Sequence, residues 1–216
     1  MIQKNMSIKY SVLKIDSEEY PIQNNIFLEG TYRVTGKFTN KDVEKLKAHH
    51  RVESIWFTAQ QDGDSWLLLN DFLALRNVEI RLYNGVNNIN GYSDKGMWTD
   101  LSGLAVLKNL EWLNIKDRSL SNIDVLAQLV NLKKLGIEHS SSNIDVLAQL
   151  INLKTLSIEH SSKSISAKPI LELRLLEDLS LCGNFKDINL RNLVNLKALI
   201  LTYVKITGPE IFPDSI

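Results

Sequence analysis

Residues 121–141 read SNIDVLAQLVNLKKLGIEHSS, and residues 142–162 read SNIDVLAQLINLKTLSIEHSS. The two copies differ only at Val130/Ile151, Lys134/Thr155 and Gly136/Ser157. Looser versions flank them: Leu107 opens LKNLEWLNI, Leu173 opens LRLLEDLSL and Leu193 opens LVNLKALIL. The steps from Leu107 to Leu129, Leu150, Leu173 and Leu193 are 22, 21, 23 and 20 residues. Such a unit is too small to bury its own leucines, so it must stack on copies of itself.

These residues make the chain resemble the leucine-rich-repeat family, and within it the short bacterial class that includes the internalins. Ile144, Leu147, Leu150, Leu153, Leu156 and Ile158 fall where that class places its core, and VLAQLINLKTL is similar to its repeat phrase. The resemblance covers residues 99–206 and, more loosely, 40–98. It implies an α/β solenoid with a parallel concave sheet and short 3₁₀ or helical convex segments. Asn184 takes the family's asparagine position, whereas Arg118, Ser140 and Ser161 stand there in neighbouring repeats, so hydroxyls are expected to hold those turns.

Each Leu-x-Leu triplet reads as a short strand, two side chains inward and the intervening ones outward. The return segment Ile144–Leu150 is apolar at every third residue, which predicts 3₁₀ turns. Upstream, Val52–Phe57 repeats the strand skeleton, and Thr39 or Asn40 can cap a helix running through His49. Trp66–Leu75 reads as a second helix, a strand is expected around Ile80 and Leu82, and residues 84–98 as an inserted loop. Residues 8–15 and 26–34 alternate as a capping hairpin would, and Ile211 and Phe212 are expected to fold back over the last repeat. The division expected is a cap over 1–38, irregular repeats over 39–98, regular repeats over 99–206 and a tail over 207–216.

Seven strands would form a concave face about 29 Å long with three outward rows. The first is Ser54, Glu79, Trp112, Lys134, Thr155, Asp178 and Ala198. The second is Trp56, Arg81, Asn114, Gly136, Ser157, Ser180 and Ile200; the third is Thr58, Tyr83, Lys116, Glu138, Glu159, Cys182 and Thr202. The repeat holding Glu79, Arg81 and Tyr83 is one residue short, which leaves its alignment open. Trp56, Tyr83 and Trp112 beside Arg81 are the ring and guanidinium types that anchor protein interfaces, although tryptophans can also seal the seams of irregular repeats. Gly136, Ser157 and Ser180 make a low trough flanked by Glu138, Glu159 and Asp178; the adjacent Glu138 and Glu159 either suit a basic partner or are one glutamate copied by the duplication. Asn114, Lys116 and Lys134 complete the candidate contact set. Two of the three differences between the copies fall on this face, and Val130/Ile151 reads as a core exchange.

Lysine and arginine number 25, as do aspartate and glutamate, so no basic excess points to nucleic acid. Cys182 is the single cysteine, which excludes an intrachain disulfide and a thiolate zinc site. No apolar run approaches a membrane span, and Met1–Ile15 lacks the apolar core of a signal peptide. A cytoplasmic location is therefore expected. His139 and His160 read as duplicated surface residues on one rim, and Cys182 lacks a histidine partner of catalytic pattern. No phosphate loop, GxSxG or HExxH occurs. Neither cofactor nor metal is expected, and the chain is not expected to be an enzyme. The resemblance instead implies a module that binds another protein, as a monomer or weak homodimer. Immunity proteins that neutralise a neighbouring toxin are the most concrete parallel; an adaptor or regulatory scaffold subunit and a surface adhesin are the alternatives.

Overall fold

Stacking sets like on like. Leu113, Leu135, Leu156, Leu179 and Leu199 are partners across successive strands, as are Ile115, Ile137, Ile158, Leu181 and Leu201. The computed structural model describes residues 31–34, 37–48, 52, 54–57, 63–72, 75, 77–81, 101–116, 123–139, 143–204 and 212–213. Eight strands follow in chain order: β1 (Thr31–Val34), β2 (Ser54–Phe57), β3 (Asn77–Arg81), β4 (Trp112–Lys116), β5 (Lys134–His139), β6 (Thr155–Ser166), β7 (Asp178–Lys186) and β8 (Ala198–Thr202). They form one sheet in sequential order, and every described pairing is parallel. Seven gaps of about 4.8 Å make a face roughly 34 Å long.

The convex side is built from 3₁₀ segments at Ser102–Val106, Asp124–Gln128, Asp145–Gln149 and Lys168–Glu172. Apolar residues at every third position select this helix, because three residues per turn bring them to one side. Ile123, Leu126, Leu129 and Leu132 are all buried, and each of the last three donates its N–H to the carbonyl three residues back at 2.9–3.0 Å. In an α-helix, with 3.6 residues per turn, such a row drifts by about 60° per step, which would carry Leu132 to the face opposite Ile123.

Upstream the coils are larger. In α1 (Asn40–Lys47) the first turn is closed by Asp42, whose carboxylate accepts from the Thr39 N–H at 2.9 Å and the Thr39 hydroxyl at 2.6 Å. Val43 and Leu46 carry its buried face. The second expected helix starts earlier, as α2 (Gly63–Leu67), and tightens to 3₁₀ over Leu68–Phe72. Trp66 is fully buried and meets Phe57 edge-on at 4.8 Å, with Phe38 on the other side of Phe57 at 5.6 Å. Gly103 lies so close to Trp66 that a Cβ there would collide with it, so glycine is what lets the regular coils seat on the irregular ones.

Four expectations change. The strand expected around Ile80 and Leu82 sits two residues earlier: Val78 pairs with Ile55 and Leu113, and Ile80 with Phe57 and Ile115. The cause is Leu75, fully buried three residues before Val78 as Leu110 is before Leu113. The capping hairpin lies outside the described residues except for Thr31–Val34, which join the sheet as its first strand and make eight strands, not seven. Val130 and Ile151 are 47% and 59% exposed and are surface residues, not core. His160 is only 3% exposed rather than on the surface. Past it the β6–β7 register breaks and resumes at Ile165↔Phe185, so the chain bends inward and the ring comes within 6.3 Å of Phe185. Gly183 completes this corner at φ +121°, where a side chain would be strained and would strike the His160 carbonyl. The 84–98 loop and Ile211 fall outside the described residues; Phe212 does pack against the core.

Leu135→Ala and Leu156→Ala each empty a buried inward position and are expected to cost about 2–5 kcal/mol. Urea unfolding that moves by less than about half a kilocalorie for both would overturn the stacking register.

Candidate functional site

Strand register, not sequence spacing, decides which outward side chains are neighbours. The first row reads Ser54, Asn77, Trp112, Lys134, Thr155, Asp178, Ala198. The second reads Trp56, Glu79, Asn114, Gly136, Ser157, Ser180, Ile200. The third reads Arg81, Lys116, Glu138, Glu159, Cys182, Thr202. From β4 onward the rows are those expected. On β3 they shift by two, so Arg81 falls in line with Lys116, and Glu79 takes the place expected for Arg81. Tyr83 lies outside the described residues.

The structure therefore brings together Trp112, Asn114 and Lys116 on β4, Lys134 and Glu138 on β5, Glu159 on β6 and Asp178 on β7. Trp56 is two strands from Trp112 and in a different row, as expected, but Arg81 lies in the row of Lys116 instead of that of Trp56. Both tryptophans are half-buried, presenting part of each ring to solvent. Ser54 is buried and offers no contact. The trough is also partly filled, because a Cβ on Gly136 would meet Asn114 Oδ1 at 2.5 Å. Lys116, Glu138 and Glu159 run side by side in one row, and in the first row Thr155 Oγ1 donates to Asp178 Oδ2 at 3.2 Å. Ile200, 60% exposed on β8, is an apolar contact that a search for rings and charges passes over.

Two further ladders run along the edge where the chain enters the strands. Asn131, Asn152 and Asn195 each donate a side-chain N–H to a carbonyl of the preceding coil, at Lys108, Val130 and Arg174, over 2.7–2.8 Å. An asparagine ladder thus exists, but not at the Asn184 position; the repeated Asn-Leu-Lys was its signal. Two residues on, Lys133 pairs with Glu111 at 3.0 Å, and Glu177 lies between Lys154 at 3.0 Å and Lys197 at 2.5 Å. Among the described residues no three or more His, Cys, Asp or Glu side chains gather into a metal-binding group, and no helix is long and apolar enough to cross a membrane. Cys182 is half-buried, between Glu159 and Thr202 in its row.

This geometry defines a leucine-rich-repeat solenoid of short repeats. No protein-family model and no curated sequence matches the chain. Among solved structures it is similar to an internalin (inlF) from Listeria monocytogenes, with 19% identity and a TM-score of 0.53, covering 74% of this chain and 48% of that one. It is likewise similar to internalin C2 of the same organism, with 20% identity and a TM-score of 0.55, covering 81% of this chain and 70% of that one. The chain spans about half the length of the first and more than two thirds of the second. At such identities the likeness concerns the fold.

Hydrogen bonds from Lys197 and then Lys154 hold the Glu177 carboxyl down at about 2, against an ordinary value of 4.5. A carboxyl depressed by folding adds stability above its unfolded value, and that contribution is lost as pH falls from 4.5 towards 2. Because the group is exposed, solvent screens the effect and it stays small. Over that window the native protein's urea midpoint should fall more steeply than that of Glu177→Gln; parallel acid limbs would show that the ladder contributes nothing.

Proposed function

We propose that the chain binds another protein on its concave face, and that this partner is a toxin whose activity it blocks. One observation carries the reading: four adjacent strands present Trp112, Asn114, Lys116, Lys134, Glu138, Glu159 and Asp178 as one contiguous surface. Half-buried rings supply area at low entropic cost, and the mixed charges supply orientation. A face about 34 Å long accommodates a standard interface of about 800 Å² per partner. A rigid, curved surface of this size suits occlusion of an enzyme's active site without any chemistry of its own. On this reading the protein acts in the cytoplasm, with neither metal nor cofactor.

An adaptor role is the second reading, favoured by Ile200 and Tyr203, 60% and 88% exposed on and just after the last strand. Tyr203, beyond the last strand, would seat a second subunit, while the concave face, Ile200 included, holds the first.

The test begins with the partner captured from the native host and the product of any toxin-like neighbouring gene. Trp56→Ala and Trp112→Ala are expected to weaken binding by at least about 2 kcal/mol each, near thirtyfold. Glu138→Lys with Glu159→Lys should weaken a basic partner, and less so at high salt. Asp145→Ala and Gln149→Ala on the convex side should change little. Loss of binding in the convex variants with normal binding in the tryptophan variants would show the wrong face; a bound toxin that stays fully active would overturn the inhibitory role.

A further inference from the structure

Five turns carry the chain from the convex side into the sheet: LKNLE at 107–111, LVNLK at 129–133, LINLK at 150–154, LRLLE at 173–177 and LVNLK at 193–197. The first and fourth leucine of each is fully buried. The second position faces water, yet Val130, Ile151 and Val194 are aliphatic there at 47%, 59% and 66% exposure. In the remaining regular turn Leu175 replaces the asparagine and is 47% exposed. Burial does not require these residues, and the two near-identical copies exchange one aliphatic for another at this solvent-facing site. Three coils thus repeat an exposed aliphatic at one position; in the coil between Ile151 and Val194, Arg174 holds that position and Leu175 stands one residue on.

Charge is sorted on the same rim. Where the second position is aliphatic the fifth is lysine, and where it is basic the fifth is glutamate. The five turns hold Lys108, Lys133, Lys154, Arg174 and Lys197 against Glu111 and Glu177, a net charge of +3 in a chain with 25 of each sign. On this rim lies a groove of about 420 Å³, lined by Asn109, Asn131, Asn152, Glu111, Lys133, Lys154 and Leu175. The asparagine ladder fixes its floor by bonding backbone of the preceding coil.

We infer that this rim is a second docking surface, which takes an extended acidic segment of another protein bearing alternate aliphatic side chains. An extended chain turns successive side chains to opposite sides. It can therefore lay aliphatic groups on Val130, Ile151 and Val194 while its carboxylates compete with Glu111 and Glu177 for Lys133 and Lys154. A groove fits a chain better than a flat bilayer. The inference is independent of the concave-face reading, because none of these residues belongs to the outward rows.

The test titrates the full chain with a fluorescent, end-blocked eight-residue peptide alternating leucine and glutamate, followed by anisotropy. Leucine–lysine and leucine–serine peptides and phosphatidylserine vesicles are the comparison probes. Saturable binding of the leucine–glutamate peptide is expected, reduced by salt and weakened at least tenfold by Val130→Ser with Ile151→Ser and by Lys133→Ser with Lys154→Ser. Circular dichroism checks that these surface variants fold. Trp112→Ala should leave this binding unchanged, so failure of the concave-face reading would be seen separately. Absence of saturable binding, equal binding of the leucine–lysine peptide, or indifference to both rim pairs would overturn the inference. So would rim-dependent binding of the vesicles without binding of the peptide, which would make the rim a membrane contact.

Discussion

No coil of this chain can bury its own leucines, and everything else in the structure depends on that dependence on a neighbour. Fully burying a leucine is worth about 1.5–3 kcal/mol, but only the next coil can complete the burial. The backbone then fixes how coils meet. Two successive N–H groups, of Lys133 and Lys134, donate to the Glu111 carbonyl at 2.8 and 2.9 Å. Lys154 and Thr155 repeat this on Lys133, Glu177 and Asp178 on Lys154, and Lys197 and Ala198 on Glu177. Each strand therefore starts at a position set by the strand before it. The order of side chains on the concave face is a consequence of these shared carbonyls rather than of anything on the face itself.

The regular coils were legible because inward and outward positions repeat with little change. Leu107 to Leu193 marks out strand, turn and 3₁₀ segment without reference to coordinates. Legibility fails where the same interaction is made by different residues. At β3 the triad is Leu75, Val78 and Ile80, and a search for leucine prefers the next aliphatic pair along. The two-residue error keeps inward residues inward, so it leaves no mismatch in polarity to betray it. His160 fails for another reason: its local sequence is that of His139, but the segment that follows turns into a second stretch of pairing and encloses the ring. Val130 and Ile151 were misread because aliphatic character was equated with burial, although exposed aliphatics are common on any protein. The strand rows were legible from β4 onward; upstream, where register could not be read from spacing, Arg81 moved out of the row of Trp56.

Charge shows how a solenoid separates tasks that a globular domain would mix. The strand rows carry lysines and carboxylates in adjacent strands, whereas the rim, which ends one residue before each strand, keeps a cationic excess beside aliphatic groups. Because each surface column comes from one position of the repeat, a change at that position affects one column only. Two differently charged surfaces can thus diverge on one core without disturbing the leucines that both rest upon.

The near-identity of residues 121–141 and 142–162 has an evolutionary consequence. Leu135 and Leu156, Ile137 and Ile158, and the two DVLAQ segments present the same chemistry to either neighbour. A coil inserted or lost by unequal recombination between such repeats would find matching surfaces on both sides. Length is then an inherited dimension of the molecule, adjustable in increments of about 4.8 Å. The positions that have already diverged, Lys134/Thr155 and Gly136/Ser157, mark where a newly gained coil first acquires its own identity.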